Sequence, residues 1–121
     1  MTKQISRVIK FRAWSKNDKS MGAPFDLYNE LIIKGYGPNE TGWLNDTIFM
    51  QFTGLLDKNG KEVFEGDIIT DLEDHQEPRN YIVGFEAGGF WLLNRDNNEF
   101  GWCESDNMEV IGNIYENGDL L

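Results

Sequence analysis

Residues 48–69 read Ile48-Phe49-Met50-Gln51-Phe52-Thr53-Gly54-Leu55-Leu56-Asp57-Lys58-Asn59-Gly60-Lys61-Glu62-Val63-Phe64-Glu65-Gly66-Asp67-Ile68-Ile69. Ile48–Phe52 is a short apolar strand that ends at Gly54. Asp57-Lys58-Asn59-Gly60 is a turn: Gly60 can take a positive φ, and the Asp57 carboxylate can accept backbone N–H bonds. Val63-Phe64 and Ile68-Ile69 flank a second tight turn at Glu65-Gly66-Asp67. Short apolar segments joined by turn chemistry predict a chain that is mainly β.

The same pattern continues on both sides. Downstream, Tyr81–Phe85 and Phe90–Leu93 flank the turn Glu86-Ala87-Gly88-Gly89. Phe100-Gly101-Trp102 follows the polar turn 94–98, and Met108–Tyr115 is the last strand. About five strands in 63–115, with one long polar loop at 71–80, predict an SH3-like five-stranded barrel. Upstream, Arg7–Trp14 alternates with period two. Ile9, Phe11 and Ala13 share one face; Lys10, Arg12 and Trp14 share the other. Lys16–Lys19 is a turn, and Met21 follows as a hairpin partner. Residues 25–34 carry helix-like punctuation (Pro24 and Gly35) around a strand-like Leu31-Ile32-Ile33, and are read as a strand. Residues 35–42 hold three glycines and a proline, which makes a loop. The expected organisation is an N-terminal β-meander lobe over 1–54 and an SH3-like barrel lobe over 55–121, packed as one compact unit.

Composition bounds the class. A chain of 121 residues buries about two-thirds of the surface it exposes when unfolded. Leu, Ile, Val and Phe make up 32 of the residues, enough for a core despite a net charge of −10. A single cysteine, Cys103, excludes an intrachain disulfide and a thiolate zinc site. No apolar run reaches the roughly 18 residues of a membrane helix, and Lys10 and Arg12 interrupt the one apolar stretch near the N-terminus. The expectation is a soluble cytoplasmic protein with no membrane partner. Charge is uneven: residues 1–20 carry +5 and residues 21–121 carry −15. Such asymmetry fits a basic segment that meets nucleic acid, or one that pairs with the acidic body of its own chain or a neighbouring subunit. The second is favoured, because phosphate backbones repel a strongly acidic particle.

Catalytic sets are lacking. His75 is the only histidine and sits in the polar loop; Cys103 reads as a small core hydrophobe. Neither phosphate-binding glycine motif occurs. The acidic set Asp67, Asp71, Glu73, Asp74, His75 and Glu77 reads as a solvated loop, because regular structure fixes no ligand pair. The turn at 57–60 fails calcium-loop spacing, with Ile68 at the twelfth position. No metal and no cofactor is therefore expected. Lys10, Arg12 and Trp14 remain as candidate binding residues. Basic and aromatic groups interleaved on one strand face could stack on single-stranded nucleic acid, or pack in a subunit interface or against the acidic body, with the interface favoured over nucleic acid.

Three stretches carry a family resemblance: Ile9-Lys10-Phe11-Arg12-Ala13-Trp14; Met50 to Ile69, quoted above; and Glu109-Val110-Ile111-Gly112-Asn113-Ile114-Tyr115-Glu116-Asn117. In order, spacing and near-terminal position they resemble the YopX family of phage and prophage proteins. The resemblance spans essentially the whole chain and is looser over 22–48 and 70–108. It implies a phage or prophage origin, a mostly β fold and self-association, and it implies no enzymatic activity. The signature residues read as structure. Gly54, Gly60, Gly66 and Gly112 suit turns or bulges, and Asp57, Glu65 and Asp67 satisfy turn backbone. Leu56 departs from the polar or basic residue of many relatives and marks an apolar contact. The leading expectation is a non-enzymatic homo-oligomer that works by binding. The alternatives are a nucleic-acid-associated accessory protein using Lys10, Arg12 and Trp14, or an acidic decoy for a host DNA-binding protein.

Overall fold

The computed structural model describes residues 9–26, 46–72, 79–94, 96, 99–102 and 105–121. Within these residues every regular element is a strand or a short 3-10 turn, so the protein is mainly β. The chain divides into two compact units, Met1–Gly54 and Leu55–Leu121. His75, Cys103, the loop 35–42, residues 27–34 of the strand expected over 25–34 and most of the acidic loop lie outside the described residues.

In the first unit, β1 (Lys10–Ser15) is central. It pairs antiparallel with β4 (Thr47–Leu56), in a register that sets Arg12 opposite Met50 and Trp14 opposite Ile48. On its other side it pairs with β2 (Ser20–Met21) and β3 (Phe25–Asp26). The expected hairpin to Met21 is present, with Trp14 opposite Met21. Its turn is held by Asp46, whose carboxylate accepts the Ser15 hydroxyl at 3.0 Å and the Asn17 N–H at 2.8 Å. The alternation of β1 holds, but burial reverses the polarity it suggests. Arg12 and Trp14, each 8% exposed, lie on the buried face with Met50 and Phe52, whereas Phe11 and Ala13 are half-buried. A large indole and an arginine stem bury more apolar area than the facing Phe-Ala pair, and the guanidinium finds a soft acceptor: Nη2 lies 3.8 Å from the Met50 sulfur.

The second unit begins with the end of β4. The turn 57–61 leads back through β5 (Glu62–Phe64), its neighbour in the sheet. A second antiparallel sheet follows in the order β10-β6-β7-β8-β9. Its strands are β6 (Asp67–Asp71), β7 (Arg79–Glu86), β8 (Gly89–Leu93), β9 (Glu99–Phe100) and β10 (Met108–Asn113). Among the described residues these pairings form an open path from β10 to β9. Val63, Ile69, Tyr81, Val83, Leu92 and Met108 make the core, with Trp102 and Val110 packed against it. Side chains of this size contribute about 1.5–3 kcal/mol each when buried. The β7–β8 hairpin closes on Ala87 (φ 50°) and Gly88 (φ 80°), a two-residue turn whose twist matches that of the strands. At Gly84 the missing Cβ leaves room for the Leu93 side chain; an added Cβ would sit 2.6 Å from Leu93 Cδ1.

Candidate functional site

Two of the signature stretches, 50–69 and 109–117, meet at the outer edge of β10. On its inner side β10 pairs with β6, with a bulge between Val110 and Gly112. On its outer side no strand follows in the sheet path among the described residues, and four of its edge groups are engaged by other partners. The carbonyl of Met108 accepts the Lys58 N–H at 2.8 Å. The N–H of Val110 donates to Asp57 Oδ2 at 3.0 Å. Further along, the Asn113 carbonyl accepts the Asn117 N–H at 2.8 Å, and the Asn113 N–H donates to Asn117 Oδ1 at 3.2 Å.

Asp57 is the node of this arrangement. It is 5% exposed. Its Oδ1 accepts the N–H groups of Asn59 and Lys61, both at 2.9 Å, and so closes its own turn. Its Oδ2 reaches β10, 53 residues away in sequence. Burial pushes the carboxyl pKa up. The N–H bonds from Val110, Lys61 and Asn59 and the Lys61 charge outweigh that, and hold it below the ordinary carboxylate value. Lys58 adds an ion pair to Glu109 at 3.5 Å. Gly60, at φ 78°, allows the turn to close, its N–H donating to the Asp57 carbonyl at 3.0 Å.

The other signature residues are structural as well. Gly66, at φ 82°, donates its N–H to the Val83 carbonyl and accepts the Ile114 N–H, so the second turn is tied to β7 and to the residue after β10. Asp67, 1% exposed, accepts the Phe64 N–H at 2.8 Å, and Glu65 lies half-buried in the turn between them. Gly54 takes φ 88° in an exposed stretch of β4. Gly112 is required by contact: a Cβ there would come within 2.5–2.7 Å of the Asn117 side chain.

Lys10, Arg12 and Trp14 do share a face, but it is a packed one. Lys10, half-buried on that face, holds its Nζ 5.6 Å over the Phe52 ring, a cation–π contact. The exposed aromatics lie off that face: Phe49, on β4 opposite Ala13, and Phe85. Phe85, 50% exposed, meets Phe90 edge to face at 5.1 Å beside the β7–β8 turn. Tyr81, Val83 and Phe85 alternate on one face, and the run continues past the core into the hairpin end. That continuation is the signal sequence reasoning overlooked. Leu56, 47% exposed, makes an apolar surface point on β4. No group of three His, Cys, Asp or Glu side chains able to hold a metal occurs among the described residues.

A family model described as YopX protein matches residues 10–121. The chain belongs to the YopX family. No curated protein matches it. Among solved structures, this YopX-family chain is similar to the crystal structure of protein EF1440 from Enterococcus faecalis. Identity is 25% and the TM-score is 0.63, over 96% of this chain and 99% of that one. The fold is thus shared along nearly the full length of both. Among the described residues, no helix is long and apolar enough to cross a membrane.

Proposed function

We propose that this protein is a non-enzymatic phage or prophage protein of the bacterial cytoplasm that works by binding and associates with copies of itself. The observation that supports this reading is the exposed Phe85 at the end of a hairpin, held edge to face against the half-buried Phe90. A solvent-facing aromatic of this kind is a common interface anchor. Of the signature residues, Asp57, Gly60, Gly66 and Asp67 are engaged in hydrogen bonds with the backbone. Burial of Arg12 and Trp14 argues against their use as nucleic-acid contacts.

Light scattering tests the reading. The native chain is expected to show a mass above 14.0 kDa. Phe85→Ser is expected to lower that mass about twofold or more while leaving the far-ultraviolet circular dichroism spectrum unchanged. A native chain that is monomeric at every concentration overturns self-association. The net charge of −12 over residues 55–121 then makes an acidic decoy for a basic host protein the reading to pursue.

A further inference from the structure

The outer edge of β10 is occupied by side chains and turn backbone where a neighbouring strand would lie. Met108 C=O and Val110 N–H are two residues apart, the spacing at which an antiparallel partner would engage an edge. Lys58 N–H takes the first at 2.8 Å and Asp57 Oδ2 takes the second at 3.0 Å. We infer that the Asp57 turn is an edge plug: it stands in for a strand on β10 and keeps that edge from pairing with β10 of a second copy.

The second copy is the fitting occupant because the pattern is self-complementary. With a two-fold axis through Glu109, Met108 C=O would accept the second copy's Val110 N–H, and Val110 N–H would donate to the second copy's Met108 C=O. These are the two groups the plug now holds. Glu109 would then face its own copy. That like-charge contact is softened by salt, so pairing at this edge should strengthen as ionic strength rises. Exposed strand edges template pairing in this way, and blocking them is a recurrent protein strategy. The inference is independent of the exposed Phe85 and its partner Phe90, which lie on other strands.

Asp57→Asn separates the plug from the turn. One amide oxygen can keep the Asn59 and Lys61 bonds, but the amide NH2 then faces Val110 N–H, donor against donor. The test is sedimentation velocity on the native chain and on D57N over a concentration series, at low and high salt. D57N is expected to gain about a twofold mass over the native chain at the same concentration, more so at high salt. Adding Val110→Pro, which removes the edge donor, is expected to reverse the gain. The native chain run in parallel reports any association of its own, so the two readings fail separately. A folded D57N with the native mass profile overturns the plug, as does a gain that survives V110P. If D57N does not fold, Lys58→Pro decides, because it removes the other edge bond at a turn position that accepts proline. A folded K58P with native mass overturns the inference. So does failure of both variants to fold, since a plug must be removable without loss of the domain.

Discussion

Replacing Asp57 by alanine is expected to cost about 3 kcal/mol of folding stability. One carboxylate accepts three backbone N–H groups, from Asn59, Lys61 and Val110. Charge-assisted bonds of this kind exceed neutral ones, and their loss leaves donors without acceptors in a buried place. The effect carries a pH signature. The folded-state carboxyl is held below its ordinary value, whereas the unfolded one titrates near about 4. The contribution is therefore complete above that unfolded value and fades as pH falls through the lower folded value. Urea denaturation across this range should show the native chain losing stability with acid, and D57A losing less of it. Parallel acid branches for the two proteins would mean that Asp57 is not the responsible carboxylate.

Gly112→Ala is expected to cost about 2 kcal/mol, through overpacking and not through backbone strain. The added methyl would stand 2.5 Å from Asn117 Oδ1 and 2.7 Å from Asn117 Cβ, so the Asn117 side chain must move away together with its backbone. Its bond to the Asn113 N–H goes with it. The prediction is non-additivity. Asn117→Gly alone should cost about 1 kcal/mol, and the double variant should be no less stable than G112A, since without a Cβ at 117 the clash is already relieved. Thermal denaturation of the four proteins completes the cycle. Additive losses would show that the two positions do not share one packing contact.

The strand pattern was legible because turns and period-two runs are local. Ile48–Phe52, Tyr81–Phe85 and Phe90–Leu93 fall within β4, β7 and β8, and the turns at 57–60, 65–66 and 87–88 are where glycine and Asx chemistry put them. The face of β1 was half legible. Alternation says that Lys10, Arg12 and Trp14 lie together, but both faces carry large apolar groups, and which one turns inward depends on the strand opposite. Met50 and Phe52 decide it. Asp57 shows the same division. That it would accept turn N–H groups follows from its place before Lys58-Asn59-Gly60. That its second oxygen would reach Val110 follows only from tertiary folding, across 53 residues. Gly112 was readable as a turn or bulge position, and a register shift lies beside it. The Asn117 side chain that fills its missing Cβ was not readable.

One strand stands apart. All five residues of β6 are buried, Ile68 and Ile69 fully, and it is hydrogen-bonded on both sides, to β10 and to β7. Its backbone amides have no route to solvent short of opening the sheet. They should exchange with deuterium only when the whole unit unfolds, while amides near the Ala87–Gly88 tip exchange through fraying. The slowest amides of Ile68–Thr70 would then report the global free energy of unfolding directly, without denaturant and under native conditions.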